Sequence, residues 1–97
     1  MKTPEGYEKD EIKKYLDTLP NCWYFCPMTH GFGKSGVPDI VACINGRFWG
    51  LEVKRPGKEP TAIQERRMLE ICKARGKAFA GTAAVVIKYI RDYPHDD

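Results

Sequence analysis

Asn45-Gly46 stands between two apolar runs, residues 39–44 (DIVACI) and 47–54 (RFWGLEVK), and dictates how they pair. Asn-Gly suits a two-residue type I′ turn, because both central residues of that turn need positive φ. The turn sets Ile44 opposite Arg47. Counting outward then pairs Cys43 with Phe48, Ala42 with Trp49, Val41 with Gly50, Ile40 with Leu51 and Asp39 with Glu52. Two carboxylates are thereby driven together on one face of a sheet. Directly opposed Cβ atoms lie about 4.5–5.5 Å apart, a distance at which like charges destabilise a sheet unless something neutralises them. A divalent cation would do so. Alternation along the strand returns Lys54 to the face of Glu52 and sends Leu51 and Val53 to the other.

Ninety-seven residues make one domain, large enough for a single modest core. Sixteen Lys and Arg against thirteen Asp and Glu give a net charge of +3, which permits a polyanionic partner without demanding one. The four cysteines, Cys22, Cys26, Cys43 and Cys72, follow no signal-peptide pattern. The expectation is a cytoplasmic chain with reduced thiols and no membrane span, not a disulfide-stapled secreted module. Cys22, Cys26 and His30 raise the question of zinc. The C-x3-C spacing and the want of an evident fourth ligand favour ordinary core or edge thiols.

Thr3-Pro4 reads as an N-cap followed by proline at the first helical position, and Ile12, Tyr15, Leu16 and Leu19 then recur at helical spacing. Three acids ride on this helix. Glu5 belongs to the first turn, where it complements the helix dipole, Glu11 lies near the apolar stripe, and Glu8 falls on the inward stripe itself, where a carboxylate is unexpected. Pro20-Asn21 ends the helix, and residues 22–26 (CWYFC) predict a short buried strand. Residues 29–38 (THGFGKSGVP) form a loop that delivers Asp39, with Lys34 and Ser35 able to approach a phosphate backbone. After a second punctuated loop (RPGKEP), Thr61 and Gln64 make a capping box for a helix running to residue 75, with Met68, Leu69, Ile71 and Cys72 on its apolar side and Gly76 as its stop. Gln64 projects from the sheet side of the helix start, so capping and a role at the carboxylates are both open to it. Residues 77–81 predict a strand and 83–93 a final helix capped by Thr82, although Val85, Val86 and Ile87 would equally suit a strand.

The order helix, strand, hairpin, helix, strand predicts an α/β fold. The hairpin joins a parallel strand through a crossover helix to make a small mixed sheet, flanked by helices around Ile40, Ala42, Ile44, Trp49, Leu51 and Val53. Asp39, Glu52 and Lys54 occupy one end of the opposite face. Paired carboxylates suit a hard cation such as Mg²⁺, which keeps several waters and completes its shell with phosphate oxygens. Phosphodiester hydrolysis uses that chemistry, and a neighbouring lysine can orient the attacking water or offset charge on the phosphorane. The plainer reading is a surface cluster of charges.

The run Gly36-Val37-Pro38-Asp39, a hairpin, then Leu51-Glu52-Val53-Lys54 resembles the PD-(D/E)XK nuclease superfamily. The longer stretch GVPDIVACINGRFWGLEVKRPGKEPTAIQ is similar in particular to its VRR-NUC (virus-type replication-repair nuclease) domains. The resemblance covers nearly the whole chain and implies an αβββαβ core. It implies that Asp39 and Glu52 bind Mg²⁺ or Mn²⁺, with the backbone carbonyl of Val53 a further ligand, and that Lys54 is catalytic. The first-helix acid of the family maps best onto Glu8, with Glu11 as the alternative, and its helix glutamine onto Gln64, expected among the catalytic residues. Small members of the family imply a homodimer acting on branched DNA such as Holliday junctions or flaps, with an interface formed by Trp23, Tyr24 and Phe25 or by Tyr89 and Tyr93. Lys34, Ser35, Arg47, Arg55, Arg66 and Lys73 are the candidates for DNA contact. Two other readings stand beside this one: a less selective nuclease of the same fold, for DNA or RNA, and a nucleic-acid-binding subunit without turnover.

Overall fold

In the computed structural model, which describes residues 2–28 and 33–94, Asn45 and Gly46 take φ of 51° and 81° and close the hairpin in the register that such a turn requires. Strands β2 (Ile40–Ile44) and β3 (Arg47–Val53) pair from Ile44 and Arg47 out to Ile40 and Leu51. Before them come helix α1 (Pro4–Asp17) and strand β1 (Cys22–Phe25); after them come α2 (Ala62–Lys73), β4 (Lys77–Gly81) and α3 (Ala83–Asp92). The four strands lie in sequence order, β1-β2-β3-β4, antiparallel except for the parallel β3–β4 pair that α2 connects.

Strand alternation gives the sheet two unlike faces. Ile40, Ala42, Ile44, Trp49, Leu51 and Val53 turn to one side, where Ile12 and Leu16 of α1 and Val86 and Ile90 of α3 complete a closed core. On the other side Gly50 lies against Pro38 and Ile71 of α2, so that single helix covers the side bearing Glu52. The six sheet residues expected in the core are all buried. Helix α2 is a looser cover than its sequence suggests: Met68 and Ile71 are half-buried, whereas Leu69 and Cys72 are exposed.

Several local expectations are revised. Residues 22–26 do not form a buried strand. β1 is an edge strand, α2 has contacts with β3 and β4 rather than β1, and Trp23 is 69% and Phe25 47% exposed. Helix α1 ends at Asp17, with Thr18 bonding back to the Tyr15 carbonyl, and α2 ends at Lys73, where Arg75, not Gly76, takes the left-handed conformation at φ 73°. Residues 83–92 are helical despite their β-branched residues, because Ala83, Val86 and Ile90 at helical spacing are all buried in the core. Thr82 is the N-cap of α3 but makes no side-chain capping bond; the carboxylate of Glu8 takes that place, accepting from the Ala83 N–H at 2.7 Å.

Candidate active site

The GVPD run reaches the sheet by packing closely on α2. Gly36 has φ of 74°, and a Cβ on it would come within 2.7 Å of the Ile63 side chain and 3.0 Å of its carbonyl oxygen. Only glycine fits there without displacement. Arg67 fastens the same loop, donating from Nε to the Ser35 carbonyl at 2.8 Å while its Nη1 meets both carboxylate oxygens of Glu70. The loop ends at Asp39, whose Oδ2 accepts from the Val53 N–H at 2.8 Å. One carboxylate oxygen is thus committed to the backbone of β3, next to Glu52.

Glu52 is 2% exposed and Lys54 9%, far more buried than charged residues ordinarily are. Burial pushes the Glu52 pKa up, the neighbouring Asp39 charge and a hydrogen bond with Asp39 raise it further, and Lys54 pulls it back, leaving it at about 8. Asp39 and Glu52 are therefore a pair that the protein holds together at a cost in charge repulsion and desolvation. Lys54 Nζ lies 3.8 Å from Glu52 Oε2.

Gln64 serves two ends of one amide. Its Oε1 accepts from the Thr61 N–H at 2.9 Å and its backbone N–H donates to Thr61 Oγ1 at 3.3 Å, completing the capping box, while its Nε2 donates to Glu52 Oε2 at 2.9 Å. Because the cap occupies the carbonyl oxygen, the NH₂ group is turned toward the carboxylate. Capping and a role beside the carboxylates were open alternatives in the sequence; they coexist.

The acids of α1 divide in a way that their spacing did not reveal. Glu8 is half-buried, as its inward position requires, but its Oε1 is bonded to Ala83 at the start of α3. Glu5 is the helix acid whose negative charge reaches Glu52 and helps to raise its pKa. Glu11 is exposed. The signal that would have singled out Glu5 is its place in the first turn, the end of α1 nearest the carboxylates, which on its own reads as dipole complementation.

Of the proposed DNA contacts, Lys34 pairs with Glu70 at 3.7 Å, Arg47 donates to the Arg75 carbonyl at 3.2 Å, and Ser35, Arg55, Arg66 and Lys73 are exposed. Arg55 and Lys58 line an open cleft of about 350 Å³ beside Lys54. Cys22, Cys26, Cys43 and Cys72 are free thiols, and His30, considered with the first two as a zinc ligand, lies outside the described residues.

Among the described residues no three His, Cys, Asp or Glu side chains converge on one point as a ready metal cage. The donor set nonetheless fits a hard cation. Mg²⁺ commonly takes one or two carboxylates and fills its remaining positions with water and substrate phosphate, and a buried carboxylate forced against a half-buried one is the arrangement that such an ion relieves.

With that geometry in view, comparison with solved structures returns a VRR_NUC domain that is 25% identical in sequence, covers 95% of this chain and 99% of its own, and superposes with a TM-score of 0.81. The chain has the fold of a VRR-NUC domain. It is accordingly a nuclease fold of the PD-(D/E)XK type, with three helices about a four-stranded mixed sheet. No family model matches the sequence, and no curated protein matches it. The VRR-NUC assignment rests on the fold, whose hairpin brings Asp39, Glu52 and Lys54 to one place. Among the described residues no helix is long and apolar enough to cross a membrane.

Proposed function

We propose that this VRR-NUC domain is a metal-dependent endonuclease that hydrolyses phosphodiester bonds in DNA, selectively in branched structures such as four-way junctions or flaps. The observation that carries the reading is the buried Glu52, held against Asp39 and contacted by Lys54 and Gln64. A structural role alone gives no reason to bury Glu52 against a second carboxylate. Asp39, Glu52 and the Val53 carbonyl would hold Mg²⁺ or Mn²⁺, with Glu8 or Glu5 of α1 bearing on the shell through water. The ion supplies Lewis-acid activation of the scissile phosphate and of a nearby water.

The residues of the chain do the rest. Gln64, with its amide fixed by the capping box, holds the Glu52 carboxylate in one orientation. Asp39 is anchored through one carboxylate oxygen to the Val53 N–H, which holds it beside Glu52. Lys54 orients the attacking water and offsets the negative charge that builds on the phosphate as the leaving oxygen departs. Arg55, Arg66, Lys73, Lys34 and Ser35 meet the flanking backbone.

Selection of branched DNA by a domain this small follows from assembly as a two-fold homodimer, which would offer one site to each of two opposed strands. The surface that supports such an assembly is the uncovered side of β1 and β2, where Trp23 and Phe25 are exposed beside Cys43, with the exposed Phe48 adjoining on β3. The final helix is a poorer candidate, because Tyr89 stacks on Phe79 at 4.3 Å and Tyr93 packs edge-on against Trp49 at 5.3 Å. Labelled four-way, flap, linear and single-stranded DNA, incubated with purified protein with and without Mg²⁺ or Mn²⁺, tests the function. Metal-dependent incision favouring the branched substrates is expected. Equal cutting of all four would leave a general nuclease, and binding without cutting would leave a binding subunit.

A further inference from the structure

At the hairpin end of the sheet, remote from the carboxylates, Arg47, Arg75 and Lys77 gather around Tyr93. Arg47 Cζ lies 5.8 Å and Lys77 Nζ 4.7 Å from the centroid of the tyrosine ring. Arg75 lines the same open hollow of about 350 Å³ together with Arg47, Tyr93 and Gly46. The neighbouring C-terminus of α2 accounts for some of this charge, since a helix end carries roughly half an elementary negative charge and Arg47 donates to the Arg75 carbonyl there. Three full positive charges exceed it. Among the described residues none of the three is ion-paired with a carboxylate. Arg75 also sits at φ 73°, a conformation that L-residues rarely adopt, with glycine only one position further on. A concave cationic surface with an aromatic floor recognises a diffuse oxyanion, and a run of them best.

The geometry of β3 and β4 sets this hollow apart from the carboxylates. Arg47 and Glu52 are five steps apart on β3, about 17 Å at ~3.3 Å per residue. The parallel β4 runs from Lys77 to Gly81 without an acidic residue and ends beside the cleft of Lys54, Arg55 and Lys58, which Glu59 and Glu65 also line. Five steps is an odd number, so Arg47 turns to the side of Trp49 and Tyr93 and Glu52 to the side of α2, and the hollow and the carboxylates lie at opposite ends and on opposite faces of the sheet. Resting on the nuclease reading above, we propose that Arg47, Arg75 and Lys77 form a second phosphate-backbone site, which holds nucleic acid at the hairpin end of the sheet, apart from the scissile phosphate.

The test uses the full chain carrying Asp39→Asn, so that DNA binding is read without hydrolysis, and compares it with the same chain carrying Arg75→Ala and Lys77→Ala as well. Binding to junctions with long arms should weaken about tenfold, and the slope of log affinity against log salt should fall by about two. Arg75→Lys with Lys77→Arg, which keeps both charges, should restore the slope; coincident thermal melts confirm that all variants are folded. An unchanged affinity and an unchanged slope in the triple variant would overturn this site while leaving the nuclease reading intact. Failure of the unsubstituted chain to cut any DNA, with no binding by the Asp39→Asn chain, would instead remove the nuclease reading and this site with it.

Discussion

Glu52 is buried beside another carboxylate, so the folded protein holds its proton more tightly than the unfolded chain does. Its pKa rises from an ordinary 4.5 to about 8 on folding. Between those values the folded state keeps a proton that the unfolded state has released, so this group's contribution to stability is full below about 4.5, declines as pH rises to about 8, and is level above. Glu52→Gln stays neutral throughout. In EDTA its melting temperature should therefore gain on that of the wild type as pH rises across that window, and a gap that narrows would contradict the assignment. The same variant should lose Mn²⁺ binding, which isothermal titration reads directly. Gln64 offers a second test at this scale. Gln64→Ala removes both a capping bond and a partner of a buried carboxylate, so about 1–3 kcal/mol of stability should go, measured by denaturant unfolding, along with most of the cleavage rate. Gln64→Glu can still close the capping box yet confronts Glu52 with a third negative charge. It should keep the helix and lose more activity than its stability explains.

At the scale of elements, the turn and the loop that set the β2–β3 hairpin are held by backbone conformations that few residues adopt. Gly36→Ala meets both a positive φ and the Ile63 backbone, and should cost more stability than Gly46→Ala, whose Cβ would meet nothing within 4 Å at φ 81°. About 1–2 kcal/mol is expected for the latter, by the same unfolding measurement. The acids of α1 should separate by role. Glu8→Ala unfastens α1 from the start of α3 and should lower stability by about 1–3 kcal/mol, whereas Glu5→Ala should leave stability nearly unchanged and shift the pH response of Glu52 downward. Indistinguishable behaviour of the two would contradict the division. The sequence made Glu8 conspicuous because an inward carboxylate is rare, but it could not say what the carboxylate meets, since Ala83 lies far along the chain and comes near only through tertiary packing.

For the whole molecule, what was legible in the sequence was whatever local chemistry decides. Asn45-Gly46 sets the register, the register opposes Asp39 and Glu52, and alternation adds Lys54 and buries Leu51 and Val53. What was not legible depends on how elements cover one another. The exposure of Trp23 and Phe25 arises because α2 reaches only β3 and β4, and the second role of Gln64 requires α2 to begin beside Glu52. The uncovered aromatic side of β1 and β2 carries a prediction at this scale: light scattering at micromolar concentration should give twice the 11.1 kDa chain mass, and Trp23→Glu should return it to one chain. The central claim is that Asp39, Glu52 and Lys54 are the working parts of a metal-dependent nuclease. The most direct measurement is single-turnover cleavage of a labelled four-way junction with Mn²⁺ by the wild type, Asp39→Asn and Lys54→Ala, with metal and DNA binding followed alongside. The account predicts cleavage by the wild type, loss of both metal binding and cleavage in Asp39→Asn, and retained metal and DNA binding with about 10²-fold or greater loss of rate in Lys54→Ala. Wild-type rates in both variants would contradict it.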